Sequence, residues 1–123
     1  MAASTPAAIL AARQAVKQVR LDDGLKDYIV RLTFATRDPA SFGLTDLKPL
    51  IAFGVSPRAT IYLSIASRAK AFLEARDHVL PDDIKSMAMD VMRHRLIPTY
   101  QAEAEEITPE IIVQRVLDKV PLP

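Results

Sequence analysis

Three times in this chain a hydroxyl residue stands directly before a proline where an apolar, helically spaced run begins: Thr5-Pro6, Ser56-Pro57 and Thr108-Pro109. A serine or threonine oxygen accepts a first-turn N–H, and proline suits the next position because its missing N–H would have no partner there. Two further starts use carboxylates, Asp22-Asp23 and, behind Pro81, Asp82-Asp83. The positive end of the helix dipole favours negative charge at such places. Five starts of this kind, with no long alternating segment between them, predict an all-α fold.

Each start leads into a stripe. Ile9, Ala12, Val16 and Val19 carry the first to about Gln18. Leu25, Tyr28, Ile29, Leu32 and Ala35 mark the second, which Asp38-Pro39 ends because the residue before a proline avoids the helical region. The third runs from Pro57 to about Arg76, with Ser56 as its N-cap. In it Ile61, Tyr62, Ile65, Ala69 and Phe72 recur at helical spacing, while Leu63, Ala66, Ala71 and Leu73 widen the apolar surface. A helix apolar on most sides is expected at the centre of the core. Ile84, Met87, Ala88, Val91 and Met92 face inward on the fourth, and Ile112, Val113, Val116, Leu117 and Val120 on the last, which Pro121 stops.

Between the helices, residues 40–55 read as a packed loop with a short extended segment at Leu50–Phe53. His78-Val79 and Leu96-Ile97 are two more short extended candidates, and residues 101–106 read as a solvated acidic loop. The expected architecture is a small bundle of about five helices with one short two-stranded pairing. Residues 1–8 are expected to be a lead-in, partly of cloning origin, and 9–123 the domain.

Half of the 123 residues are hydrophobic and a quarter charged, with a formal net charge of +1. Near-neutrality argues against a dedicated nucleic-acid binder, which would carry a strong basic excess. With no cysteine, disulfides and thiolate metal sites are excluded. No apolar run has the length of a membrane span and no secretory pattern opens the chain, so a cytoplasmic protein is expected.

Catalytic constellations are scarce. Glycine occurs only at 24, 43 and 54, so a phosphate-binding loop of the form Gly-x-x-x-x-Gly-Lys-Ser/Thr cannot be written. His78 and His94 have no carboxylate at ligand spacing, and no metal site is expected. The serines lack a nucleophile-elbow context. Asp22-Asp23 and Asp82-Asp83 read as dipole-favoured first-turn carboxylates, and Arg93, His94 and Arg95 as cations at a helix C-terminus. Arg58 is the exception. It is a cation in a helix first turn, the unfavourable end of the dipole, with no acidic residue within four positions. Either an ion pair across a loop or an anion from outside the chain would compensate it, and arginine suits phosphate.

Gly54-Val55-Ser56-Pro57-Arg58-Ala59 resembles the Gly-Ala-Ser-Pro-Arg-Ala segment of MoxR-type AAA+ ATPases. Ala75-Arg76-Asp77-His78-Val79-Leu80-Pro81-Asp82-Asp83-Ile84 is similar to their Gly-Arg-x-x-Val-x-Pro-Asp/Glu-Asp-Val/Ile link. The likeness continues through Val91-Met92-Arg93-His94-Arg95-Leu96, and backward through Asp27–Leu32 and Thr36-Arg37-Asp38-Pro39. It covers nearly the whole chain but only the C-terminal helical lid of those proteins. Val55 stands where alanine is common. Leu80 stands where Thr or Ser is usual, an apparent loss of a side-chain cap that costs about 1 kcal/mol.

The resemblance implies a lid that closes over ATP and Mg2+ held by an AAA+ large domain absent from this chain. It implies that Arg58 is the second-sensor arginine, with Ser56 and Pro57 beside it at the nucleotide, and that the chain alone is not catalytic. It further implies a homo-oligomeric ring, expected to be a hexamer, doing chaperone-like work on other complexes together with von Willebrand factor A-domain proteins. The competing reading is a stand-alone helical interaction or nucleic-acid-binding module built on Arg93–Arg95 and the acidic 101–106 segment.

Overall fold

The computed structural model describes residues 6–123, so Thr5 of the first cap–proline pair lies outside the described residues. Six α-helices are present among them: α1 (Pro6–Gln18), α2 (Asp23–Arg37), α3 (Arg58–Leu73), α4 (Pro81–Met92), α5 (Tyr100–Ala104) and α6 (Pro109–Lys119). Two short strands, β1 (Ile51–Phe53) and β2 (Ile97–Pro98), pair antiparallel. The all-α class and the short two-stranded pairing agree with the sequence. At the predicted His78-Val79 extension, the Arg20 N–H donates to the Asp77 carbonyl at 2.8 Å and the Val79 N–H to the Arg20 carbonyl at 2.9 Å.

The second, fourth and sixth helices bury the faces their spacing predicts. Leu25, Tyr28, Ile29, Leu32 and Ala35 are buried on α2; Ile84, Ala88, Val91 and Met92 on α4; Ile112, Val113, Val116 and Leu117 on α6. Thr108 Oγ1 caps α6 by accepting the Ile111 N–H at 3.2 Å. The Leu80 start keeps half of a capping arrangement, because Asp83 Oδ2 accepts the Leu80 N–H at 2.7 Å.

The packed loop expected at 40–55 is built of two 3-10 helices, Pro39–Phe42 and Thr45–Leu50, that bury Pro39, Leu47 and Leu50, followed by the extended β1. Three expectations are corrected. The acidic 101–106 stretch includes α5, whose start Thr99 Oγ1 caps by accepting the Ala102 N–H at 3.2 Å; this makes six helices where about five were expected. The third helix starts at Arg58, not Pro57, and ends at Leu73, with no side-chain cap: Pro57 takes the cap position, and Ser56 contributes its carbonyl, which accepts the Ala59 N–H at 2.9 Å. Ala75 then turns the chain through a left-handed conformation at φ 59°.

The third correction concerns the buried face of α3. Ala59, Leu63, Ser67 and Ala71 are buried, whereas Ile61, Tyr62 and Ile65 from the predicted stripe are exposed, as is Leu73. At about 100° per residue, the buried set and the predicted stripe occupy opposite sides of the helix. Three of the four buried residues are small, which lets α2 and α4 approach α3 closely.

Candidate functional site

The segment leading into α3 is pinned to the end of α2. Thr36 Oγ1 donates to the Thr33 carbonyl at 2.7 Å and accepts the Val55 N–H at 3.1 Å. Gly54 lies against the same helix end so closely that a Cβ there would sit 2.5 Å from the Thr36 carbonyl oxygen. Only glycine permits such an approach. Val55, buried beside it, anchors the turn from below. Ser56, Pro57 and Arg58 are thereby held at the surface, all three exposed.

Arg58 begins α3, and its side chain makes no hydrogen bond or ion pair among the described residues. The other first-turn side chain with a bond there is Thr60, whose hydroxyl donates to the Pro57 carbonyl at 2.7 Å. No acidic residue occupies the first turn of α3. Of the two compensations open to Arg58, the cross-loop ion pair is therefore not formed within the described chain. Arg58 also shares its side of the helix with Ile61, Tyr62, Ile65, Ala69 and Phe72. Farther along, that side meets α1 across an apolar groove of about 610 Å³ flanked by Ile9, Ala12, Val16, Ile65 and Phe72.

Tyr62 and Arg95 join the site by tertiary contact. The Arg95 guanidinium lies 4.6 Å from the Tyr62 ring centroid, and its Nη1 donates to the Val91 carbonyl at 2.9 Å. The second bond is the C-terminal cation role the sequence suggested. The first is invisible in sequence, since Tyr62 sits on α3 and Arg95 in the turn that follows α4.

The remaining candidates have structural occupations. Asp83 is buried and takes both Arg76 Nη1 and Nη2 at 2.6 Å, which holds its carboxyl below the usual carboxylate range despite burial. His78 Nδ1 is 2.9 Å from the exposed Asp77 carboxylate, and Arg93 pairs with Asp90 at 3.2 Å. Of Arg93 to Arg95, Arg93 is thus paired, whereas Arg95 leans on Tyr62 without a carboxylate partner among the described residues. Glu103, Glu105 and Glu106 are exposed. Among the described residues no three His, Asp or Glu side chains gather into a cation-holding group, and no helix is long and apolar enough to cross a membrane.

Comparison with known proteins gives a consistent picture. Residues 44–116 match the family model described as AAA lid domain. The chain is 50% identical over 99 residues to Chaperone MoxR1 of Mycobacterium tuberculosis, covering 80% of this chain and 26% of that protein. It is 42% identical over 94 residues to Protein MoxR of Paracoccus denitrificans, covering 72% and 28%. A crystal structure of a protein from Cytophaga hutchinsonii assigned as an ATPase superposes with a TM-score of 0.92 at 41% identity, over 95% of this chain and 36% of that one. The chain therefore spans between a quarter and a third of the length of the curated relatives it matches, 26–32%.

Proposed function

Since the chain belongs to the AAA lid domain family, and to its MoxR type, we propose that it closes over ATP held by a separate nucleotide-binding domain and presents Arg58 to the γ-phosphate as the second sensor. One observation carries this reading: Arg58 is exposed at the first turn of α3 with no anion to compensate it among the described residues. ATP with Mg2+, bound to the other domain, would supply the hydrolysable phosphate.

The residues of this chain do the positioning. Gly54 and Val55 seat the turn on α2, and Pro57 (φ −57°) holds the backbone into α3. Ser56 and Pro57 place no charge in front of the guanidinium. A phosphate meeting Arg58 would relieve the cation's unfavourable position on the helix dipole. It would also gain charge-assisted hydrogen bonds worth roughly 1.5–3 kcal/mol each. Those bonds end when the phosphate leaves, and the lid is then free to move. The exposed apolar side of α3 provides a surface for the nucleotide-binding domain.

The same reading assigns the intact ATPase to a homo-oligomeric ring, a hexamer, that remodels protein complexes in a chaperone-like way with von Willebrand factor A-domain partners. The name of the Mycobacterium relative, a chaperone, supports that part. Arg58→Ala in the intact ATPase is the test. It should leave the lid folded, by circular dichroism of the isolated chain, and lower turnover at least tenfold, as expected when an interaction made in the transition state is lost. An unchanged hydrolysis rate in the folded variant refutes the assignment.

A further inference from the structure

Tyr62 lies one helical turn beyond Arg58, and Arg95 is braced on it. The ring and the Val91 carbonyl together fix the guanidinium plane, the ring through its face and the carbonyl through Nη1. One of the five N–H donors of Arg95 is thereby used. No carboxylate pairs with Arg95 among the described residues, although its neighbour Arg93 has Asp90. Two arginines therefore stand at one end of a surface whose other exposed members, Ile61 and Ile65, are aliphatic. A domain that covers this surface strips water from both cations, and an unpaired cation in such a place is costly. A polyvalent anion resolves that cost, and the planar arginine fork matches phosphate oxygens.

We propose that Arg95, held by Tyr62, is a second phosphate-contacting arginine, serving the binding of the triphosphate while Arg58 senses its terminal group. The proposal rests on the assignment of Arg58 made in the preceding section. The division of labour follows from the phosphate each arginine would meet. Arg95 would hold phosphates that stay bound through the reaction, so its contact stabilises ground and transition states alike and acts on KM. Arg58 would meet the terminal phosphate, where charge develops in the transition state, and acts on kcat.

Steady-state hydrolysis by the intact ATPase separates these roles. Arg95→Ala should raise KM for MgATP about tenfold with kcat within about twofold. Tyr62→Leu, which keeps an apolar side chain but removes the ring, should reproduce that change, and Tyr62→Phe should behave as the unaltered protein. Arg58→Ala should lower kcat. Circular dichroism of each variant reports folding, and Tyr62→Leu carries the test should Arg95→Ala fail to fold. An unchanged KM in Arg95→Ala, or Tyr62→Phe as impaired as Tyr62→Leu, overturns the proposal. If Arg58→Ala alone is impaired, the second-arginine role falls and the sensor assignment stands. If every variant is unchanged, both fall.

Discussion

Gly54 shows how much of this site depends on a single missing atom. Its place against the Thr36 carbonyl leaves no room for a Cβ, so Gly54→Ala must push the turn away from α2 and carry Ser56, Pro57 and Arg58 with it. Overpacking of this kind costs roughly 1–3 kcal/mol. Gly24 makes the contrasting case. In the first turn of α2, a Cβ there meets nothing nearer than 3.4 Å, and Gly24→Ala should stabilise by roughly 0.5–1 kcal/mol through helix propensity. Urea unfolding of the two variants should therefore move in opposite directions; equal shifts would contradict the close contact at Gly54. At this scale the sequence is informative about Arg58, because a first-turn cation breaks a rule that depends only on neighbouring residues. It is silent about Thr36 holding Val55, and about Arg95 on Tyr62, because each contact joins a helix to a segment far from it in the chain.

The helix α3 shows why periodicity alone misassigns a core. Spacing identifies which residues share a side, and side-chain size then suggests that the bulky side is buried. Here the helix has two apolar sides. The small one, Ala59, Leu63, Ser67 and Ala71, is consumed by α2 and α4, while the bulky one, with Ile61, Tyr62 and Ile65, is open. On α2, α4 and α6 the spaced, bulky side is the one buried, although Val30 and Phe34 on α2 and Ile111 on α6 stay exposed. The two sides of α3 should respond differently to truncation. Leu63→Ala, at a fully buried position, should cost roughly 2–5 kcal/mol. Ile61→Glu, at an exposed one, should stay within about 0.5 kcal/mol in the isolated chain. Urea midpoints decide it: a larger loss from Ile61→Glu would put the core back on the bulky side.

For the whole molecule, the pH range of stability follows from ionisable groups whose folded and unfolded states differ. Four carboxyls titrate below their ordinary range: Asp83 through Arg76, Asp46 through Arg115, Glu74 through Lys70 and then Arg76, and Asp77 through His78. A depressed folded pKa means that the unfolded chain takes up protons first as pH falls. The stabilisation is complete above the unfolded aspartate value of 3.8 and is lost on acidification through the lower folded value. Asp83 dominates because it alone of the four is buried, tying α4 to the segment that ends α3. Tyr28 bounds the other side. Burial raises its hydroxyl above the ordinary 10.0, against the opposing influence of Arg31. The unfolded tyrosine therefore ionises first, and this stabilisation is present below pH 10.0 and lost as pH rises through the folded value. The Tyr28 hydroxyl is also buried without a hydrogen-bond partner, so Tyr28→Phe should cost nothing at pH 7 and should flatten the alkaline limb. Asp83→Asn should lose about 2 kcal/mol at pH 7, the worth of hydrogen bonds to a charged group, and should reduce the acid slope below pH 4 because the strongest proton-linked group is gone. Urea unfolding across pH 2.5–11 measures both limbs. An Asp83→Asn variant with the original acid slope would show that exposed carboxylates, and not the joint between α3 and α4, set the acid limit.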